Sequence, residues 1–320
     1  MSDFSKQENE KDEFDELLPE GHRSGFVAVV GRPNVGKSTL INQFMREKIA
    51  IASPRPQTTR IRQLGIITEP HYQMIFMDTP GLIGKPRHKL DEFMKETALD
   101  TLADADIILW LVDVSEAPGG LDRDIAAELK RLPPETKIVL VLNKSDLPDP
   151  ITVPNKAEPY KTLLPDASWI VISALTGQNC DVLLDKLAEG LPLGPRYYPA
   201  DQATDMFVRD IAGEMIREQI FLQLREEIPY GTAVQIDQFK EREGGAVFIQ
   251  ATIFVERDTH KKIIIGQKGE QLRQIGAAAR KEIETLVEGA VYLDLWVKVE
   301  PKWRQSERQL QRFGYARPKG

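Results

Sequence analysis

Gly31-Arg32-Pro33-Asn34-Val35-Gly36-Lys37-Ser38 is the stretch whose residue types and spacing point most directly to chemistry. It reads G-x-x-x-x-G-K-S, and each part of that pattern serves a phosphate chain. Gly31 and Gly36 let the backbone turn tightly and bring its N–H groups against phosphate oxygens. Lys37 offers a fixed positive charge to the outer phosphates, and the Ser38 hydroxyl can complete a Mg²⁺ shell. Val35 and Thr39, inside and just after the run, join the same expected nucleotide-binding set.

Four later stretches complement it. Thr58 and Thr59, in the loop Ser53 to Arg60, can supply a Mg²⁺ ligand that responds to the γ-phosphate; Thr59 is the preferred choice. Asp78-Thr79-Pro80-Gly81 places an acid for a water-mediated Mg²⁺ contact, and the Gly81 N–H can face the γ-phosphate. Asn143-Lys144-Ser145-Asp146 is suited to base selection. A carboxylate accepts two donors from guanine N1–H and its 2-amino group, and adenine offers no such pair. The Lys144 stem can cover the base plane, and Ser173-Ala174-Leu175 can reach the base through backbone N–H groups. Leu82 stands where Ras-like enzymes keep a water-orienting glutamine, and a hydrocarbon side chain cannot orient water. Unaided hydrolysis is therefore expected to be slow.

These residues need a scaffold that brings distant loops together. Phe26–Val30, Ile61–Ile67, Gln73–Met77, Asp106–Val114, Lys137–Leu142 and Ser168–Ile172 are apolar or β-branched runs that read as strands. Thr39–Met45, Arg87–Ala103, Asp122–Arg131 and Cys180–Glu189 have helical spacing. Alternation of this kind predicts a mostly parallel sheet covered on both faces, with ligands beyond the carboxyl ends of the strands. The phosphate loop and the loops at Asp78, Asn143 and Ser173 each follow such a strand.

The five stretches GRPNVGKS, PQTTR, DTPG, NKSD and SAL, in this order, resemble the GTP-binding domains of the translation-factor class. The match runs over about residues 24–190. It implies a P-loop GTPase that converts GTP to GDP with Mg²⁺, in the subgroup without the catalytic glutamine. In some members an asparagine at the place of Asn34 holds a potassium ion in place of an arginine finger. Asn34 has two open readings here, K⁺ ligand and loop stabiliser.

The chain has 320 residues, a net charge of −7 and one cysteine, Cys180. Two domains, no internal disulfide and a cytosolic setting are expected. Residues 1–22 hold eight acids against two lysines and read as a solvated tail. The longest apolar run, Ile107–Val112, is too short to span a bilayer. Leu191 to Pro199, rich in Pro and Gly, reads as a linker.

Beyond it the periodicity changes. A helix over Met206–Glu227, a hairpin of Ala233–Glu241 and Ala246–Glu256 around Gly244-Gly245, and a helix over Thr259–Ile265 lead to Gly266-Gln267-Lys268-Gly269. A helix over Glu270–Leu286 and a strand over Val291–Val299 follow. A G-x-x-G loop between two helices after a hairpin is the arrangement of a type II KH-type RNA-binding unit. Its glycines admit a nucleic-acid backbone, and Lys268 offers charge to phosphate. Ile263, Ile264 and Ile265 are expected to wall a groove for bases. From Lys261 onward there are 13 basic and 7 acidic residues, a local +6 within an acidic chain. Ile265, Gly266, Gln267, Lys268, Gly269, Arg273, Arg304 and Arg308 are the expected RNA contacts. Arg304, Arg308 and Arg312 recur at i, i+4 and i+8 as one exposed basic stripe, while Leu310 and Phe313 are expected to pack.

Taken over the whole chain except the acidic tail, the order of domains and the W-R…L-x-x-F-G-Y ending resemble the bacterial Era family of GTPases. The resemblance implies a monomer that binds small-subunit (16S) ribosomal RNA near its 3′ end during 30S subunit biogenesis, with weak peripheral membrane contact. The expected divisions are 1–22 tail, 23–190 GTP-binding domain, 191–204 linker, 205–300 KH-type α+β domain and 301–320 basic segment. An ATP-using enzyme, disfavoured by Asn143 to Asp146, and a GTPase whose second domain binds protein or membrane are the rival readings.

Overall fold

The computed structural model describes residues 18–46, 59–81, 86–242 and 245–315. Most of the acidic tail, Thr58, Leu82, Gly244 and the last five residues lie outside these. Strands β1 (Arg23–Val30), β2 (Gln63–Glu69), β3 (Tyr72–Asp78), β4 (Ile107–Asp113), β5 (Lys137–Asn143) and β6 (Ser168–Val171) form one sheet, in the order β2-β3-β1-β4-β5-β6. β2 and β3 form an antiparallel pair; every other neighbouring pair is parallel.

Helices cover both faces, and β4 shows why the strands are apolar throughout. Its Ile108, Trp110 and Val112 pack against α2 (Lys89–Ala103), α3 (Gly120–Leu129) and α4 (Val153–Leu163). Its Ile107, Leu109 and Leu111 pack on the other side, against α1 (Lys37–Met45) and α5 (Cys180–Gly190). A strand buried on both faces has no polar positions to alternate with.

α4 was absent from the sequence-based expectation. Pro154 starts it and Pro159 lies inside it, where proline normally breaks a helix. Tertiary packing holds it: Tyr160 is fully buried, donates to Asp113 O at 3.1 Å and meets Trp110 edge-on.

The linker differs from a free spacer. Leu191 is fully buried, Ser24 N donates to Pro192 O, and Ile66 N donates to Ala203 O. Gln73, fully buried on β3, is its clasp. The Gln73 side chain accepts from Tyr197 N (2.7 Å) and Tyr198 N (2.9 Å) and donates to Tyr198 O (2.8 Å). The local sequence around Pro195 and Pro199 carries no sign of this, because the partner lies more than a hundred residues away.

The second domain places α6 (Val208–Gln223), α7 (Asp258–Ile265) and α8 (Glu270–Leu286) on one face of a sheet of β7 (Ala233–Glu241), β8 (Val247–Val255) and β9 (Val291–Val299). β7 and β8 form the expected hairpin; β8 and β9 are parallel, joined through α7 and α8, and β9 is an edge. The chain ends in a short 3₁₀ turn, Trp303–Gln305, and helix α9 (Glu307–Arg312). Leu310 and Phe313 pack, as expected.

A separate apolar cluster joins the domains. Leu90 and Met94 of α2 meet Ala233, Phe254, Trp303, Leu310 and Tyr315. No helix among the described residues is long and apolar enough to cross a membrane.

Removing the Gln73 clasp strands two backbone N–H groups. Gln73→Ala is expected to cost about 2 kcal/mol in urea unfolding. A change below about 0.5 kcal/mol would show that the strap is held by other contacts.

Candidate functional site

The phosphate loop leaves β1 at Val30 and re-enters helix at Lys37. Gly36 sits in the left-handed region (φ 102°), and a Cβ there would lie 2.4 Å from Asn143 Nδ2. Only glycine fits both the angle and the space. Lys37 is buried, and its Nζ donates to Gly31 O (3.2 Å) and Arg32 O (3.3 Å). Burial lowers the Lys37 pKa, with Asp78 opposing the shift. Gly81 lies close against the loop, since a Cβ there would be 3.3 Å from Lys37 Nζ.

Asp78, 1 % exposed, ends β3 beside this loop. Its Oδ2 accepts from Ser38 Oγ (3.0 Å) and Thr59 Oγ1 (2.9 Å), and the two hydroxyls are 3.3 Å apart. Its Oδ1 is buried and has no hydrogen-bond partner. Burial raises the Asp78 pKa, offset in part by Lys37 and the two hydroxyls. A buried carboxylate oxygen without a donor, beside two hydroxyl oxygens, fits a hard divalent cation with oxygen ligands. Ser38, Thr59 and Asp78 are thus brought together, whereas Thr58 and Leu82 lie outside the described residues.

Asn143, 2 % exposed, joins the phosphate end to the base end. Its Nδ2 donates to Val35 O (2.7 Å), and its Oδ1 accepts from Ala174 N (2.8 Å). The Ala174 N–H expected to reach a base is therefore engaged by Asn143. Asp146 is exposed and accepts from Ser173 Oγ at 2.6 Å, which aims the carboxylate. Lys144 adopts φ 64° and pairs with Asp113 at 2.7 Å, so its head is tethered. Burial alone would raise the Asp113 pKa; the bonds from Lys144 and Ser115 outweigh it and hold it low. Leu175 is exposed, and Thr39 follows Ser38 on α1. Asn34 is exposed with φ 66°, and its side chain makes no hydrogen bond among the described residues. Cys180 is buried, which pushes its thiol up to about 11 and leaves it unreactive.

In the second domain the loop after α7 has positive φ at Gly266 (72°), Lys268 (53°) and Gly269 (79°). A Cβ on Gly266 would sit 2.6 Å from the Gln271 Cβ. The loop opens onto a groove between α8 and the free edge of β9. Gly269, Leu272, Arg273, Gly276, Ala277, Arg280, Tyr292, Leu293 and Leu295 line it. Gln267 and Lys268 are exposed beside it, and Ile265 is half-buried. Ile264 belongs to the core and Ile263 points to solvent, so the three isoleucines do not form one wall.

Arg280 and Tyr292 line this groove and are not among the sequence-based expectations; Gly276 and Ala277, small residues of α8 that also line it, are the sequence signal for it. The exposed arginine stripe also needs correction. Ser306 interrupts the helix, and Arg304 is paired with Glu256 at 2.5 Å instead of facing solvent. Arg308 and Arg312 are both exposed, as expected, and Arg312 also stacks on Phe254 and Phe313.

Comparison with known proteins matches this geometry. Residues 26–144 match the family model described as a 50S ribosome-binding GTPase, and residues 227–304 match the KH domain. GTPase Era of Halothermothrix orenii is 46% identical over 92% of this chain and 99% of its own length. GTPase Era of Geobacter metallireducens is 47% identical over 92% and 98%. Two solved structures superpose with a TM-score of 0.88, each covering 92% of this chain and 99% of the other. One, 38% identical, is Era in complex with MgGDPNP and nucleotides 1506–1542 of 16S ribosomal RNA; the other, 37% identical, is a point variant of Aquifex aeolicus Era bound to GDP·AlF₄⁻. With such identity over nearly the full length of its relatives, the chain belongs to the Era family of GTPases.

Proposed function

We propose that this chain hydrolyses GTP to GDP and lets the nucleotide set its grip on the 3′ end of small-subunit ribosomal RNA during 30S assembly. The GTP-binding unit over 23–190 does the chemistry; the unit over 205–300, with the basic segment 301–320, holds the RNA. The observation that carries this reading is the pairing of two sites in one chain. One is the Asp78 cluster, built for a metal-bound triphosphate. The other is the G-x-x-G groove of α8 and β9. A family member was crystallised with both a GTP analogue and a 16S ribosomal RNA segment.

Ser38, Thr59 and Asp78 would hold Mg²⁺, which when bound neutralises charge on the outer phosphates. Lys37 releases its loop carbonyls to meet the phosphate oxygens, and the Gly31–Thr39 N–H groups surround them. The Gly81 N–H faces the γ-phosphate. Asp146, steadied by Ser173, accepts from guanine, and the Lys144 stem covers its plane. Leu82 gives hydrolysis no water-orienting group, so the basal rate is slow. Of the two readings for Asn34, its unbonded, exposed amide favours a potassium ligand over a loop brace.

Ile265, Gly266, Gln267, Lys268, Gly269 and Arg273 admit the RNA backbone, Tyr292 offers a ring to a base, and Arg308 adds long-range charge. Arg304 contributes through Glu256 and not as a free cation. A cytoplasmic location fits this work. Peripheral contact with the inner membrane face is the finer expectation, and vesicle sedimentation tests it.

Filter binding of the 1506–1542 RNA segment is expected to be about tenfold tighter with Mg·GDPNP than with Mg·GDP, and to weaken steeply with salt. Equal affinities in the two states would remove the coupling. Replacing K⁺ by Na⁺ is expected to slow single-turnover hydrolysis by about tenfold or more in the wild type. Asn34→Ala is expected to be equally slow in both salts; persistent K⁺ stimulation in that variant would return Asn34 to a loop role.

A further inference from the structure

Arg60 is the residue after Thr59, yet its side chain lies inside the second domain. It is 1 % exposed. Its Nη1 donates to Thr232 O (2.6 Å), and its Nη2 to Tyr230 O (3.0 Å) and Pro229 O (3.3 Å). Trp303 Nε1 donates to the one remaining carbonyl of that turn, Gly231 O, at 2.9 Å. The guanidinium carbon is 6.0 Å or less from the ring centres of Phe221, Trp303 and Tyr315, and the Tyr315 hydroxyl lies 3.4 Å from Nη1. No acidic side chain forms an ion pair with Arg60 among the described residues; backbone carbonyls and aromatic faces hold the buried cation. Only a planar fork can serve three carbonyls of one turn while lying among rings.

Neighbouring Cα atoms are about 3.8 Å apart, so Thr59 and Arg60 cannot move far independently. Thr59 donates to Asp78 on one side of that peptide, and Arg60 fills the turn over 229–232 on the other. Withdrawing Thr59 would draw the cation out of its seat and strand buried acceptors. We propose that Arg60 is the positioning residue that couples the two domains: the turn over 229–232 holds it only while Thr59 sits at the Asp78 cluster. A seated second domain then favours the metal-bound triphosphate state, and that state favours the seated second domain, as linkage requires.

This rests on the nucleotide-dependent RNA grip proposed above, and the test separates the two. The affinity of the full-length protein for the 1506–1542 RNA segment is measured with Mg·GDPNP and with Mg·GDP, for the wild type and for Arg60→Met. The expected result is a wild-type ratio of about tenfold that falls to within about twofold of unity in Arg60→Met. The variant's RNA affinity in the GDP state should stay within about twofold of wild type. A variant that keeps the wild-type ratio would overturn the assignment of Arg60 and leave the RNA grip standing. A wild-type ratio of one would overturn both. Should Arg60→Met fail to fold, hydrogen exchange of the wild type decides. The Gly231 and Thr232 amides are expected to exchange several-fold more slowly with Mg·GDPNP than with Mg·GDP, and equal exchange overturns the assignment.

Discussion

Three loops of the nucleotide site depend on one buried amide. Asn143 donates to Val35 O at 2.7 Å and accepts from Ala174 N at 2.8 Å. Its side chain thereby fixes the phosphate loop, the Asn143–Asp146 turn and the Ser173–Leu175 turn at set distances. Both halves of the amide are used, so neither aspartate nor leucine could replace it without stranding a buried group. Gly36 packs so tightly against the same amide that a single added methyl would not fit. The parallel sheet supplies the rest, because β1, β3 and β5 all end on the same side.

From that fixed frame two segments lead away to the second domain. Thr59-Arg60 leaves the Asp78 cluster and ends among Phe221, Trp303 and Tyr315. α2 follows the Asp78–Gly81 loop and buries Leu90 and Met94 against Trp303 and Leu310. The segment after Thr59 and the helix after the Asp78–Gly81 loop therefore finish in one apolar cluster between the domains. Packed clusters of this kind have discrete arrangements and do not deform continuously, which suits a two-state device.

Much of this was legible in the sequence because its signals are local. The G-x-x-x-x-G-K-S loop is flanked by an apolar strand and an amphipathic helix, and the G-x-x-G loop lies between two helices. The misses share a cause in long-range packing. α4 forms in spite of Pro159 because Tyr160 is locked onto Asp113 and Trp110, which only the folded sheet brings near. The proline-rich stretch after Leu191 is pinned by Gln73, a polar residue in an apolar strand whose purpose shows only with its partners. Arg304 has helical spacing with Arg308, but Glu256, 48 residues upstream, captures it. Arg60 reads as an ordinary loop cation until its carbonyl seat 169–172 residues away comes into view.

The central claim is that distant loops form one pocket selective for guanine and for a metal-bound phosphate chain. Titration of nucleotide-free protein with GDP and with ADP, in Mg²⁺, tests it most directly. The pocket predicts GDP binding tighter than ADP by about a thousandfold or more, since adenine leaves Asp146 without its two donors. Comparable affinity for the two nucleotides would contradict it.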